Sequence, residues 1–335
     1  MRWSISAHNT FRRCQRQYFF DQVMASHNAR DGRRREAYIL KQLRGLKAWQ
    51  GTLIHKGIQH FVVPRLEAGE PLDIPCIINE TIGMGRQQLA FSEGRGYRDP
   101  ANTKTRAGLT YAALYEHEYI GEIAPSDLEQ VWTTVDTCLH NLANQTKLIE
   151  TISRSRWIKA EAPLSFEVDG ITVSVILDLL FFDNNRPFII DWKVSDSQAS
   201  SYDRQSRVYG LAVLRKWPEF PPQEVQIREV NLLRNIVTAH PLTEQDLLQT
   251  EDFIFRSASE MIALIGDRAY EEQQFEDYEP ARTHRTCLYC KYRSLCLEMS
   301  NEVSTTESIR NPQLGGTQLS LPFAQDHRPA GRGTF

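Results

Sequence analysis

Three charged residues lie inside two otherwise apolar segments near the middle of the chain. Asp178 lies in VSVILDLLFF, and Asp191 and Lys193 lie in PFIIDWKV. Between the segments, Asn184-Asn185 is typical of a hairpin turn. A turn centred between these two asparagines places Asp178 opposite Asp191, and the Cβ atoms of such a pair lie about 4.5–5.5 Å apart. Two carboxylates at this separation can share one divalent cation.

The position of Lys193 adds a positive charge to this pair. Lys193 lies two residues after Asp191 and therefore on the same face of the predicted strand. Carboxylate ligands suit Mg²⁺ or Mn²⁺, which keep waters and accept phosphate oxygens. A lysine beside such an ion can orient or deprotonate a water, which is the chemistry of phosphodiester hydrolysis. The alternative is a structural salt bridge between Lys193 and one of the carboxylates.

Three cysteines near the C-terminal end form an incomplete metal site. Cys287, Cys290 and Cys296 follow the spacing C-x2-C-x5-C in CLYCKYRSLC. Six cysteines in a chain of 335 residues, three of them clustered, favour an intracellular metal site over a disulfide framework. The cluster lacks a fourth ligand.

The composition is that of a soluble globular protein, with 41% hydrophobic and 24% charged residues. The apolar runs are too short and too interrupted to span a bilayer. The first residues, MRWSISAHNT, contain no apolar signal region, so we expect a cytoplasmic protein, associated with the nucleoid if it binds DNA.

Positive charge is concentrated at the N-terminal end of the chain. Residues 1–50 contain eleven Lys or Arg against three Asp or Glu, whereas the whole chain has a net charge of −3. Arg12, Arg13 and Arg16 flank the first cysteine. Such a cluster can bind phosphates and release counterions. It can equally be the solvated face of a helix.

The pattern of apolar residues predicts the elements that position these groups. Alternating apolar residues predict strands and two hairpins between residues 159 and 195. The remaining predicted elements are helices at 8–28 and 49–66, a mostly helical segment at 70–155, a helix at 198–217, strands at 224–232 and 235–240, and a helix at 243–266.

Several of these motifs, in this order, resemble the PD-(D/E)XK nuclease superfamily. The D-x12-D-W-K spacing of Asp178, Asp191 and Lys193 is similar to its signature. The segment GTLIHKGIQ resembles its histidine motif, and QSRVYGLAV resembles the Q-x3-Y motif of its RecB-like branch. The cysteines at both ends resemble the branch that contains the AddB nuclease domain and the CRISPR-associated RecB-like exonucleases.

The resemblance implies roles for particular residues. It implies metal binding by His55, Asp178, Asp191 and the backbone carbonyl of Trp192, and catalysis by these aspartates with Lys193, Gln205 and Tyr209. It supplies Cys14 as the fourth cysteine ligand, beside Cys287, Cys290 and Cys296. The four cysteines would bind a 4Fe–4S cluster, with zinc as the alternative because the spacing barely separates the two. Arg12, Arg13 and Arg16 would then lie where a DNA strand enters.

The resemblance also implies a fold class and a division of the chain. The expected fold is α/β, a restriction-endonuclease-like core with a central mixed sheet flanked by helices, a helical insertion, and terminal regions joined by the iron–sulfur cluster. The predicted regions are a basic N-terminal region at 1–50, a motif helix at 51–64, the helical insertion at 65–155, the nuclease core at 156–266, the cysteine region at 267–300 and a disordered tail at 301–335.

These observations favour a metal-dependent nuclease, expected to act as an exonuclease on single-stranded DNA or DNA ends. The role is either repair and recombination or CRISPR spacer acquisition. A catalytically silent iron–sulfur DNA-binding module is the alternative from another class. The chain contains no G-x4-G-K-[ST] motif, so unwinding of a duplex would require a partner helicase.

The predicted tail contains one apolar island, QLSLPF. Gln318, Leu319, Leu321 and Phe323 resemble the peptide by which bacterial polymerases and repair proteins dock on the sliding clamp. A flexible tail with a few apolar anchors suits docking in a preformed groove. A chance island is the alternative.

Overall fold

The computed structural model describes residues 1–195 and 202–310, with the side chains of residue 202 and of residues 303–310 left aside. The chain divides into two units, Met1–Arg293 and Ser294–Phe335. The first unit contains the whole sheet. The described part of the second unit is helical.

The described residues form six strands and a series of helices, and all of them except the last helix lie within the first unit. The strands are β1 (Arg2–Trp3), β2 (Ile158–Val168), β3 (Ile171–Asp183), β4 (Arg186–Lys193), β5 (Gln226–Asn231) and β6 (Ile236–Ala239). The α-helices are α1 (Ile5–Arg13), α2 (Gln15–Tyr18), α3 (Gly32–Lys41), α4 (Leu46–Gly57), α5 (Val63–Glu67), α6 (Ile74–Glu93), α7 (Lys104–Ala107), α8 (Tyr115–Tyr119), α9 (Pro125–Asn144), α10 (Thr146–Ser153), α11 (Tyr202–Lys216), α12 (Glu244–Ile265), α13 (His284–Leu288) and α14 (Arg293–Arg310).

The six strands form one mixed sheet centred on β3. Strand β2 pairs antiparallel with β3 along one edge, while β1 (parallel) and β4 (antiparallel) also pair with β3. Strand β5 pairs parallel with β4, and β6 pairs antiparallel with β5. The predicted α/β core with a central mixed sheet is therefore confirmed.

At one point along β2 and β3, the face of the sheet to which the side chains point is reversed in both strands. Their ladder pairs Ala160 with Leu179 and Ala162 with Leu177, but leaves out the facing residues Glu161 and Asp178. Residues two apart normally share one face of a sheet. Here Leu177 and Ala162 pack in one hydrophobic core, whereas Leu179 and Ala160 pack in the other. Glu161 has φ +48°, the left-handed conformation that few side chains adopt, and it accounts for the reversal.

The two cores lie against different helices. The first core combines strand residues with α1, α11 and α12, for example Phe11, Val208 and Ile254. The second core combines the far ends of the strands with α4, α6 and α9, for example Leu53 and Val135. The reversal at Glu161 therefore brings that residue and Asp178 to the junction between the two layers.

Helix α4 is held against α6 at close range. A Cβ atom at Gly57 would lie 2.6 Å from the hydroxyl oxygen of Thr81, which is too close for any real side chain. Glycine at this position lets the two helices approach. Leu53 and Ile54 are fully buried on the same helix, and each stabilises it by about 1.5–3 kcal/mol. Helix α4 is consequently a rigid support for His55.

Three details differ from the sequence predictions. The helix predicted at 8–28 is interrupted at Cys14, which has extended backbone (φ −165°) and accepts a hydrogen bond on its sulfur from the N–H of Gln17 at 3.4 Å. Strand β1 was not predicted, because two residues are too short to show a period. Helix α14 also continues to Arg310, inside the segment predicted as a tail. Within the described residues, none of the helices has the length and apolar character that crossing a bilayer requires.

Candidate active site

The hairpin of β3 and β4 has the register that its turn residues predict. Asp183 pairs with Arg186, and the ladder continues to Leu179 and Ile190. Asp178 is the next residue along β3, and its carboxylate accepts a hydrogen bond from the backbone N–H of Trp192 at 2.8 Å. This bond fixes the Asp178 carboxylate at the point where the two strands part.

Three side chains from three elements converge at this point, and Asp178 is one of them. His55 of α4, Glu161 of β2 and Asp178 of β3 each offer one ligand atom, and these atoms lie within 4.8 Å of one another. Nδ1 of His55 lies 3.6 Å from a carboxylate oxygen of Asp178. One imidazole and two carboxylates at this spacing are a donor set for a divalent ion such as Mn²⁺ or Mg²⁺.

A second chain of contacts begins at Asp191, which is buried on β4. Nζ of Lys193 lies 2.5 Å from a carboxylate oxygen of Asp191 and donates to the side-chain oxygen of Gln205 at 3.2 Å. The amide nitrogen of Gln205 donates in turn to the hydroxyl of Tyr209 at 2.5 Å. Gln205 and Tyr209 are one turn apart on α11, which packs on the face of the sheet that Asp191 occupies. Lys193 is therefore fixed from both sides.

The charges at the site are poorly balanced without a cation. Burial, followed by the nearby charge of Asp178, raises the pKa of Glu161. Burial also raises the pKa of Asp191 to about 7, although the charge of Lys193 works against this shift. Burial disfavours the charged form of His55, but its hydrogen bond to Asp178 and the surrounding carboxylates outweigh burial and raise its pKa. The surrounding carboxylates thus favour positive charge at this position, which a bound metal ion would supply.

The comparison with protein families is decisive for the identity of the chain. The model of the PD-(D/E)XK nuclease superfamily matches residues 2–297. The chain belongs to this superfamily. The match supports a nuclease, and it spans both the sheet and the helical layer that contributes His55.

Solved structures resemble the PD-(D/E)XK protein only distantly. The protein SSO0001 is 17% identical with a TM-score of 0.29, over 54% of this chain and 78% of that one. A candidate exonuclease from Eubacterium rectale is 10% identical with a TM-score of 0.35, over 64% and 79% respectively. No curated protein matches the sequence. These neighbours carry no argument about substrate.

Glu161 was not predicted as a metal ligand; from the sequence, an acid that supports the metal ligands and a surface glutamate were equal alternatives for it. Simple alternation along β2 conceals it, because the strand reverses at this residue. Two signals were present. Glu161 is an acid between two alanines in a strand that is otherwise mixed or apolar, and the hairpin register with β3 places it opposite Asp178. The metal role predicted for the Trp192 carbonyl stays a prediction, since the recorded contact of Trp192 with Asp178 is through its N–H.

The arginines predicted to bind DNA have contacts within the protein. Arg12 forms an ion pair with Glu260 at 3.3 Å. Arg13 donates to the side chain of Gln17 at 3.1 Å. Arg16 donates to the carbonyl of Tyr278 at 3.2 Å and stacks over the Phe275 ring at 4.4 Å. Their role in binding DNA stays a prediction.

The structure brings the two ends of the first unit together near three of the predicted cysteine ligands. The backbone N–H of Gln15 donates to the carbonyl of Glu279 at 3.1 Å. Burial, followed by the nearby Cys14 thiol, raises the pKa of Cys287. The N–H of Cys290 donates to the carbonyl of Cys287 at 3.1 Å.

Two further predicted sites involve residues of the second unit. Cys296 belongs to the second unit, where its carbonyl accepts a hydrogen bond from the Ser300 hydroxyl at 2.7 Å. Gln318, Leu319, Leu321 and Phe323 lie outside the described residues. The sliding-clamp motif therefore stays a prediction.

Proposed function

We propose that this PD-(D/E)XK protein is a divalent-metal-dependent phosphodiesterase that degrades DNA, acting on single strands or frayed ends. The observation that carries the proposal is the convergence of His55, Glu161 and Asp178 beside the Asp191–Lys193 pair. A fold has no structural need for three acids and an imidazole at one junction, since buried like charges are costly. A bound cation would attract the carboxylates and so offset the free-energy cost of burying them together.

The residues divide into a binding group and a reaction group. His55, Glu161 and Asp178 would hold the ion, with Asp191 close enough that its charge influences His55. When bound, a divalent ion supplies Lewis-acid stabilisation of the charge that develops on the phosphate. Lys193, held by Asp191 and Gln205, would orient the water that attacks phosphorus. The new P–O bond forms as the water loses a proton to solvent, the P–O bond to the leaving nucleoside breaks, and the leaving oxygen takes up a proton from solvent.

The test is degradation of oligonucleotides labelled at either end. Purified protein with Mn²⁺ or Mg²⁺ should shorten single-stranded DNA, with no activity in EDTA. Comparing the two labels gives the polarity, and a circular single strand separates exonuclease from endonuclease action. Absence of cleavage of any DNA with either metal would reject the proposal in favour of a silent DNA-binding module. The choice between repair and spacer acquisition follows from partner proteins and not from this assay.

We also propose that Cys14, Cys287, Cys290 and Cys296 bind a 4Fe–4S cluster. What supports it is their spacing at the two ends of the chain, together with the proximity of Cys14 to Cys287. Zinc is the alternative, because four-cysteine zinc sites use similar C-x2-C pairs.

Serine at Cys14 or Cys287 should remove the visible absorption of anaerobically purified protein and lower its thermal stability. The reason is that the binding free energy of a metal site joining distant segments is also folding free energy. Iron and sulfide analysis and the absorption spectrum measure the result. Cys138→Ser is not an adequate control because Cys138 is buried. The exposed Cys76 is suitable, and Cys76→Ser should keep the spectrum. Colourless wild-type protein with stoichiometric zinc would contradict the cluster.

A further inference from the structure

A cavity of about 190 Å³ opens beside helix α4, on the side of the helical layer. Three cations, Arg44, Lys56 and Lys104, line it together with neutral residues that include Trp49 and Gln88. Among the described residues that line the cavity, none carries a negative charge. No role has been given to this cavity so far.

The walls of the cavity are fixed by hydrogen bonds. The backbone N–H of Arg44 donates to the carbonyl of Ala113 at 2.9 Å, and the Arg44 carbonyl accepts from the N–H of Tyr115 at 2.9 Å. At the back, the buried Gln88 accepts from the indole N–H of Trp49 at 2.7 Å and donates to the Leu109 carbonyl at 2.7 Å. The cavity is therefore preformed and would require little ordering on binding.

The positive charges around the cavity are not neutralised. Within residues 1–195 and 202–302, no ion pair to a carboxylate involves Arg44, Lys56 or Lys104. Burial lowers the pKa of Lys104, and Arg44, Lys56, Lys41 and Lys291 lower it further. Cations gathered in this way attract a multivalent anion.

The cavity lies next to the candidate active site. Lys56 directly follows His55 on α4. Burial lowers the pKa of the Arg44 guanidinium, while the charge of Glu161 raises it. A nucleic-acid strand that reaches the metal ligands would thus carry its next phosphates past Arg44 and Lys56.

We propose that the pocket lined by Arg44, Lys56 and Lys104 binds a phosphate of the nucleic-acid strand that the active site cuts. The inference rests on the proposed nuclease function and makes it more specific. The phosphate belongs either to the internal backbone or to a strand terminus, and the recognition chemistry is the same. The pocket fixes the register of the strand and so determines which phosphodiester reaches Asp178.

The test compares two triple variants of equal charge change. The pocket variant is Arg44→Gln/Lys56→Gln/Lys104→Gln. The matched control is Lys47→Gln/Arg86→Gln/Arg106→Gln, three exposed cations on the neighbouring helical layer that do not line the cavity. Binding of a short fluorescein-labelled single strand is measured in EDTA by anisotropy at several KCl concentrations. Strands with phosphate or hydroxyl at the 5′ end, and likewise at the 3′ end, are compared.

The pocket variant should bind about tenfold to a hundredfold more weakly than wild type, as loss of charge-assisted hydrogen bonds predicts. The slope of log K against log [KCl] should become shallower by about 0.7, the value for one phosphate of a single strand. The control should bind like wild type within about twofold, as expected for exposed charges that do not line the cavity. If wild type, but not the pocket variant, binds a strand with a terminal phosphate more tightly than the same strand with a terminal hydroxyl, the pocket binds a terminal phosphate. If wild type binds both strands equally, the pocket binds an internal phosphate.

If both triple variants bind DNA equally weakly, the proposed phosphate pocket is contradicted, and only the overall positive charge of the protein contributes to binding. The same holds if the pocket variant binds like wild type. If either result is obtained with wild-type protein that cleaves DNA with Mn²⁺, the proposed phosphate pocket is rejected and the proposed nuclease function is retained. If wild type neither binds nor cleaves DNA, the proposed function falls and the pocket falls with it.

Discussion

Nuclease activity should fall at least about a thousandfold when Asp178 is replaced by asparagine or Glu161 by glutamine. Both changes remove a carboxylate from the set that converges with His55. The Lewis-acid contribution of a bound metal is worth several kcal/mol, and each 1.36 kcal/mol is a factor of ten in rate. Asparagine at 178 can still accept the Trp192 N–H, so the hairpin should remain intact. Initial cleavage rates and metal titration calorimetry give the result.

Two nearby acids serve as controls for these variants. Asp183→Asn lies on the same strand as Asp178, at the hairpin turn. Glu167→Gln lies on the same strand as Glu161, where its carboxylate accepts from the Thr172 hydroxyl. Both should keep wild-type rates and metal affinity. Full activity in Asp178→Asn would show that the metal centre is elsewhere, and full activity in Glu161→Gln alone would exclude that residue as a ligand.

Lys193→Met should lower kcat by a factor of about 10²–10⁴, the range for loss of a general acid or base. The change should leave metal binding in place, since the metal ligands are unaltered. It should also destabilise metal-free protein, because Asp191 is only 1% exposed and would lose its cation; breaking such a pair costs about 3–5 kcal/mol. Single-turnover cleavage and denaturation with and without Mn²⁺ measure both effects.

The exposed Lys159 on β2 provides the matched control for this variant. Lys159→Met should retain activity and stability. Lys193→Arg keeps the charge and should recover the stability more fully than the rate, since a guanidinium differs in shape from an ammonium. An unchanged kcat in Lys193→Met would leave the lysine as a purely structural partner of Asp191.

The hairpin that carries the site was accessible from the sequence alone. Both turn residues, Asn184 and Asn185, have positive φ, as the favoured two-residue hairpin turn requires. Once that turn is placed, the register follows for every residue of the ladder as far as Leu179 and Ile190, the pair directly before Asp178 and Asp191. Local turn chemistry was sufficient here because one short connection determines the pairing.

The strand reversal at Glu161 and the cationic pocket were not accessible from the sequence. The left-handed conformation of Glu161 is imposed by tertiary structure, and no Gly or Asn marks it in the sequence. Arg44, Lys56 and Lys104 come from three separate elements that meet only when the helical layer folds onto α4. Conversely, the concentration of arginines at residues 12–16 was conspicuous in sequence, yet those side chains contact Glu260, Gln17 and Tyr278. Clustering of cations along the sequence therefore predicts a binding site less well than clustering of cations in the folded structure.

The reversal of β2 and β3 at Glu161 also determines how this protein should be handled. A left-handed residue with a side chain costs about 1–2 kcal/mol, and the crowded carboxyls add repulsion at the same place. An ion that binds only the folded chain stabilises it by about 2.7 kcal/mol at a hundredfold excess over its dissociation constant. Preparations that differ in residual metal will therefore differ in melting temperature and in resistance to proteolysis. Chelators in a purification buffer change the stability of the protein as well as its activity.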